Sequence, residues 1–413
     1  MHLALYNFIG ILLLPVMMLR LLLKGLKTPA YRQRIGERLG FIKSITGSVI
    51  WVHCVSMGEF RAAIVLIDAL IKAYPNHKIL VTSTTPTGSK AVSEQYQDKV
   101  LHTYFPFDIS FIVKRYIKKV QPDLCLLLET EIWPNLIHAL HKNNTPTLLV
   151  NARLSERSLK KYQKFTNLTM HTLNKLSVIA AQNQNSAERF IKLGVDKDKV
   201  IIAGNIKFEQ NPSTNKNHTK AIKSIIGKRK VVVFASTHKG EEEKIINAYL
   251  NRPLDALMLI IPRHPERFDE VYKLAKKHNI KAVKRSSNAS SSGYDMLLGD
   301  SIGEMMSYFE VADVVFMGGS LVETGGHNML EPAALSKPIL FGPNVFNFTE
   351  ISTDLLTQQG SIQVQNADAL MQEITQLLED DKKSNNLSKN ANQYFKSQQG
   401  ALSALIKQIK RHI

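Results

Sequence analysis

At 413 residues the chain exceeds what one hydrophobic core usually organises, so two domains are the first expectation. With 44% apolar and 21% charged residues it is globular, and two cysteines exclude a disulfide scaffold. Its 53 Lys and Arg against 35 Asp and Glu leave a formal charge of +18, which asks for an anionic partner: nucleic acid, an acidic lipid surface or a phosphorylated substrate. Cys54 and Cys125 both lie in apolar runs, as in a reducing compartment. The 13 His are scattered without zinc spacing, so no metal is expected.

Residues 3–19 are apolar apart from Asn7, with Pro15 interrupting. That length is the lower limit for crossing a bilayer as a helix. A cleaved signal peptide would carry its charge in front and a small-residue cleavage site behind. Here no Lys or Arg precedes the run, while Arg20, Lys24, Lys27, Arg32, Arg34 and Arg38 follow it. That asymmetry keeps the flank on the cytoplasmic side. It would also attract anionic headgroups at roughly 1 kcal/mol per charge. Residues 1–24 therefore read as a membrane anchor, spanning or merely inserting, with an ordinary buried first helix as the bland alternative.

From residue 49 apolar runs alternate with helical patterns, as in Ala62-Ala63-Ile64-Val65-Leu66-Ile67-Asp68-Ala69-Leu70. Strands are predicted at 49–55, 78–83, 100–104, 123–128, 147–150, 178–181 and 200–203. A second series follows at 231–235, 256–261, 295–298, 313–317 and 338–341, with a Ser-rich loop at 285–293 and a closing helix at 402–409. Such βα repetition predicts parallel sheets. Residues 25–208 form the first Rossmann-like domain. Residues 209–220, polar and aperiodic around Asn211-Pro212-Ser213, read as a linker, and 221–413 as the second domain. Two such halves facing a central cleft would bind ligands at the carboxyl ends of their strands.

The residues leaving those strands are unusually polar. Ser56-Met57-Gly58-Glu59 follows the first, and Thr82 to Gly88 supplies hydroxyls after the second. Glu129-Thr130-Glu131-Ile132-Trp133-Pro134-Asn135, Asn151-Ala152-Arg153-Leu154-Ser155 and Gly204-Asn205-Ile206-Lys207-Phe208 leave later strands. In the second half come Ser236-Thr237-His238, Pro262-Arg263-His264-Pro265 and Asp300-Ser301-Ile302-Gly303-Glu304. The most conspicuous exit is Gly318-Gly319-Ser320 through Gly325-Gly326-His327-Asn328 to Glu331, with a helix expected over 328–335. Amides of such a loop can cradle phosphate, and Glu331 one turn further on could accept from a ribose. Each exit also has a bland reading: a helix cap, a surface charge, or a turn that simply needs glycine. Together they make a ligand-binding edge the better account. Glu59 at a helix start is expected to be held ionised by the dipole and could act as general base. Lys207 could offset charge on a leaving phosphate.

Taken in order, these segments resemble the bacterial 3-deoxy-D-manno-octulosonic acid (Kdo) transferases of lipid A biosynthesis. The resemblance extends to the N-terminal anchor, Ser236-Thr237-His238-Lys239-Gly240-Glu241-Glu242 and Pro262-Arg263-His264-Pro265-Glu266-Arg267-Phe268. It implies a GT-B fold and inverting, metal-independent transfer of Kdo from CMP-Kdo to a phosphorylated lipid A precursor (lipid IVA), without a cofactor, at the inner face of the cytoplasmic membrane. It further implies Glu59 as base, with Glu129 and Lys207 stabilising the transition state. CMP would lie against Pro262 and Arg263, Gly303, Glu304 and Met305, and Asn328, Met329, Leu330 and Glu331. One departure is Glu209, where the family often has Asp. A nucleotide-sugar epimerase or hydrolase of the same fold is the alternative. A nucleic-acid-binding protein is disfavoured, because the aromatics are not interleaved with the basic residues.

Overall fold

The protein is described from a computed structural model, over residues 2–209 and 214–413. It divides into two compact units, Met1–Gln210 with Gln399–Ile413, and Asn211–Gln398.

The first unit holds seven parallel strands: β1 (Val49–His53), β2 (Lys78–Ser83), β3 (Leu101–Tyr104), β4 (Leu124–Leu128), β5 (Thr147–Ala152), β6 (Val178–Ala181) and β7 (Val200–Ile202). Their order across the sheet is β3-β2-β1-β4-β5-β6-β7. Helices cover both faces, which is why the strands read as unbroken apolar runs. Alternate residues of β1 go to opposite cores. Ile50 and Val52 pack with Phe60 and Leu66 of the helix Met57–Ala73, whereas Val49 and Trp51 pack with Tyr116 and Leu140.

The helix Ala401–Ile409 belongs to this unit, not to the second half where residues 221–413 had been expected to stay together. Its buried face, Ala401, Leu405 and Ile409, enters the core of Leu66 and Ile67. Glu209 is what receives it. The carboxylate accepts the backbone N–H groups of Gly400 at 2.6 Å and Leu402 at 3.4 Å, capping the start of that helix. The residue that departs from the family's usual Asp thus has a definite local job.

The second unit has seven further parallel strands: β8 (Val231–Thr237), β9 (Leu257–Pro262), β10 (Ala282–Lys284), β11 (Met296–Leu298), β12 (Val314–Met317), β13 (Ile339–Phe341) and β14 (Ile362–Gln363). Their order is β10-β11-β9-β8-β12-β13-β14. The two edge strands, β10 and β14, escape the sequence reading because Ala282-Val283-Lys284 and Ile362-Gln363 make no apolar run of their own. The expected linker over 209–220 is corrected in part. Asn215 caps a helix at Lys216–Ile226 by accepting the N–H groups of Asn217 and His218. The polarity of 216–220 is that of a first helical turn whose buried face starts at Thr219 and continues at Ile222, Ile225 and Ile226. Asn211, Pro212 and Ser213 lie outside the described residues.

The N-terminal helix, Leu3–Lys27, reaches a mean hydropathy of 2.0 over an 18-residue stretch and is long and apolar enough to cross a membrane by length and composition. Leu5, Phe8, Leu12, Val16, Leu19 and Leu26 are exposed on it. Its polar interruptions point the other way, into the first unit. The Tyr6 hydroxyl donates to Asp108 at 3.0 Å, and Asn7 Oδ1 accepts the Ser110 N–H at 2.8 Å. Asp108 also accepts the N–H groups of Asn135 at 3.0 Å and Leu136 at 2.8 Å.

Truncating the last helix's anchor tests the corrected domain assignment. Leu405→Ala should destabilise the first unit by about 3 kcal/mol, the usual cost of a fully buried leucine. In calorimetry the transition of that unit moves down while that of the second unit stays in place.

Candidate active site

In the first sheet the strand order turns back between β1 and β4, so the loops leaving these two strands diverge and open the edge. The β1 exit carries Glu59. Ser56 caps the following helix by accepting the Glu59 N–H at 3.3 Å, and the Glu59 carboxylate reaches back to accept the Val55 N–H at 2.8 Å. This is a variant of the capping box in which the carboxylate reaches the N–H one residue before the cap. The bland reading of Glu59, a carboxylate placed at a helix start, is therefore correct as far as it goes. The expectation that the dipole holds it firmly ionised is not. Burial pushes its pKa up to about 7 against the Val55 hydrogen bond, and the charges of Glu131 and Glu129 add to the rise.

The β4 exit carries Glu129, whose backbone is left-handed at φ 53°. Non-glycine residues adopt that region at a cost that the surrounding structure must hold. Asn151, at the end of β5, does the same at φ 51°. The Glu129 carboxylate meets Lys207 Nζ at 3.4 Å, both side chains being partly exposed. Lys207 stands on a short turn, Ile206–Glu209, pinned by polar side chains. Asn205 Oδ1 accepts its N–H at 3.0 Å and Asn151 Oδ1 accepts the Ile206 N–H at 3.1 Å. Gln182, at the β6 exit, donates to the Asn151 carbonyl at 3.0 Å. Gln182 was missed because it stands among other amides in Gln182-Asn183-Gln184-Asn185 with nothing to mark it.

His53 was missed too. It lies within an apolar run and is wholly buried, stacked on Phe105 with ring centroids 3.8 Å apart. Its Nδ1 meets Thr82 Oγ1 at 2.9 Å, and its Nε2 is 3.7 Å from Glu131. Trp133 Nε1 donates to the same Glu131 oxygen at 2.7 Å. Glu59, Glu129 and Glu131 thus leave the two central strands, with Lys207 paired to Glu129.

In the second sheet the order turns back between β8 and β12. Here the glycine-rich stretch differs from expectation. The N–H groups of Gly319, Ser320 and Leu321 all donate to Glu241, at 2.7, 3.1 and 2.9 Å, and that of His238 donates at 3.1 Å. Glu241 is fully buried, so its carboxylate fills the cradle that had been assigned to a phosphate. The first glycine pair answers to crowding instead: a Cβ on Gly318 would come within 2.7 Å of the Ala235 carbonyl oxygen. A short helix follows at Leu330–Ala334, narrower than the expected 328–335. The Asn328 side chain holds its start by accepting the Leu330 N–H at 3.2 Å and donating to Glu331 at 3.2 Å. Met329 and Leu330 are buried.

Arg263 leaves β9 just after Pro262. Among the described residues its guanidinium has no hydrogen bond or ion pair. Gly303 has φ +84° and open space where a side chain would be. Glu304, before the helix Met305–Val311, is buried and committed internally. It accepts from Arg285 at 3.0 Å, Ser301 at 2.5 Å and Tyr308 at 3.2 Å. Burial works against its ionisation, but the Ser301 hydroxyl and Arg285 outweigh it and hold the pKa low. What this exit offers a ligand is therefore backbone around 303 rather than the Glu304 carboxylate. Arg263, Gly303 and Asn328 follow strands β9, β11 and β12, which with β8 form the middle of the sheet.

Residues 33–210 match the family described as 3-deoxy-D-manno-octulosonic-acid transferase, and residues 185–394 match glycosyl transferases group 1. A solved glycosyltransferase from Rickettsia africae shares the fold, with a TM-score of 0.58 at 14% identity over 90% of this chain and 98% of its own. The C-terminal CMP-Kdo binding domain of WaaA from Acinetobacter baumannii is 33% identical, covering 43% of this chain and 98% of its own, with a TM-score of 0.41. Two parallel Rossmann-like sheets with these matches define a glycosyltransferase of the GT-B fold. The 3-deoxy-D-manno-octulosonic acid transferase of Haemophilus influenzae is 38% identical over 420 aligned residues, 99% of this chain and 98% of its own. The chain belongs to the 3-deoxy-D-manno-octulosonic acid transferase family.

The left-handed backbone at Glu129 lets the role in transfer expected of its carboxylate be tested apart from stability. Glu129→Gly relieves the left-handed backbone and should leave the protein as stable, or more stable by about 1 kcal/mol. Thermal melting together with a transfer assay should show an unweakened fold and a lost activity.

Proposed function

We propose that the enzyme moves Kdo from CMP-Kdo to a phosphorylated lipid A precursor, lipid IVA, in lipopolysaccharide biosynthesis, inverting the anomeric configuration and using Glu59 as general base. The observation that carries the reading is the state of Glu59, a carboxylate raised to about 7 at the turning point of the first sheet. A base of that strength can take a proton from a sugar hydroxyl as the donor bond breaks, yet is substantially ionised at neutral pH. Glu129 and Lys207 form the charged pair that steadies the developing charges. The second unit holds CMP, with Arg263 unspent for the anionic donor. The backbone around Gly303 to Met305 and the segment Asn328 to Glu331 complete the nucleotide's seat. CMP leaves as a stable anion, so the reading calls on no cofactor or metal.

The same proposal places the protein on the cytoplasmic face of the inner membrane, attached by Leu3–Lys27 and its basic flank. Tyr6 and Asn7 are tied to the first unit, which supports a helix lying along the surface rather than crossing it. A cysteine placed at His2 should then stay unlabelled by an impermeant maleimide in intact spheroplasts. Labelling from outside would mean that the helix spans.

Mass spectrometry of lipid IVA incubated with the protein and CMP-Kdo tests the reaction and counts the sugars added. Wild-type kcat/KM should rise with pH through about 7 and then level, because the base works only when deprotonated. Glu59→Gln should keep CMP binding and lose transfer by roughly 100-fold or more. Near-native turnover in that variant would remove Glu59 from the role.

A further inference from the structure

Glu241 occupies the amides of Gly319, Ser320 and Leu321, so a nucleotide phosphate at this end of the loop calls for another group. Three neighbouring strand exits supply one. His238 follows β8, Arg263 and His264 follow β9, and His327 lies in the segment after β12. His238 Nε2 and His327 Nε2 are 2.8 Å apart, in rings only 8° from parallel. Gly319 makes the pairing possible: at φ +68° a Cβ there would press on His238 Cδ2 and His327 Nε2, each at 3.2 Å. His264 stands edge-on to His238, with centroids 5.5 Å apart. At that separation the contact is a hydrogen bond between the two rings.

The proton count of such a pair is constrained. When both rings are neutral, one proton lies between the two Nε2 atoms, one outer Nδ1 carries a proton and the other does not. A single added proton turns that remaining Nδ1 from acceptor to donor and gives the pair a positive charge. We propose that His238 and His327 act together as a proton-accepting pair that binds the donor's phosphate beside Arg263. This rests on the CMP-Kdo reading above and adds the phosphate subsite to it.

The surroundings support a pair that is neutral when empty and charged when occupied. Burial, followed by the charges of His238, Arg263 and His264, lowers the His327 pKa to about 4. Burial, followed by His264, Arg263 and Arg267, lowers that of His238. Arg267 is already neutralised by Glu242 at 2.6 Å, and His264 has Glu266 at 4.0 Å. Glu241 is the remaining nearby charge and is turned to backbone N–H groups. The phosphate of CMP carries one charge while the sugar is attached and becomes a dianion when that bond breaks; either charge favours protonation and offsets Arg263, the dianion most.

The test is calorimetric titration of the full-length protein with CMP, in buffers of different ionisation enthalpy. It is run between about pH 7 and about pH 8.5, above the phosphate's own second pKa of about 6. Cytidine serves as the phosphate-free control. Wild type should take up a substantial fraction of a proton on binding CMP, and its affinity should fall roughly fivefold across the range. Cytidine should bind weakly and without pH dependence. His327→Gln and His238→Asn, checked by thermal melting, should bind CMP more weakly and with a flat pH profile. Tight CMP binding by wild type without proton uptake overturns the proposal and leaves the donor reading standing. Proton uptake seen only with intact CMP-Kdo also overturns it, by moving the pair to the sugar's carboxylate. Failure of wild type to bind CMP at all would remove the donor reading itself. If a variant does not fold, the wild-type proton count alone decides.

Discussion

In a parallel sheet every strand leaves by the same edge, and neighbouring exit loops spread apart only where the strand order reverses. Both units obey this constraint, at β1 and β4 in one and at β8 and β12 in the other. Most of the chemistry follows from it. Glu59 and Glu131 are far apart in sequence, yet β1 and β4 pair directly, so their exits must be neighbours. The same holds for His238 and the glycine-rich stretch, through the pairing of β8 with β12. Rearranging either connection would scatter the carboxylates or the cations along the edge.

The exits also show how a protein keeps buried carboxylates without giving each a cation. Glu241 accepts four backbone N–H groups, and Asp108 accepts two together with a tyrosine hydroxyl. An unpaired buried charge would be prohibitive, whereas several well-placed donors bring the cost down. Burial nevertheless lifts the pKa of all three, that of Asp108 to about 6 and that of Glu59 to about 7. Glu59 differs in exposure: Asp108 and Glu241 are buried, whereas Glu59 stands partly exposed at its strand exit.

How much of this was legible in the residues depended on whether the signal was local. Twelve of the strands announce themselves as apolar runs, whereas β10 and β14 owe their existence to a neighbour in the sheet. Glu59, Glu129, Lys207 and Arg263 could be named because each stands at the end of a recognisable strand. The partnership of Glu241 with the glycine amides could not, since 78 or more positions separate them in the chain. His53 and Gln182 were hidden for the same reason: their meaning lies in Glu131 and Asn151, which only the fold brings near. The helix at Ala401–Ile409 looked like any closing helix, and its amphipathic pattern carries no label saying which unit it completes.

That helix bears on how the protein is made. Residues 211–398 must all leave the ribosome before the segment that fills the last seat in the first unit's core can reach it. At roughly 5–20 residues per second the wait is on the order of 10–40 s. Throughout that interval the faces of Leu66 and Ile67 that Leu405 and Ile409 will cover stand open, as does the carboxylate of Glu209. Vectorial folding is therefore suspended for the first unit while the second proceeds. The nascent chain thus presents a nearly finished sheet with one uncovered apolar strip.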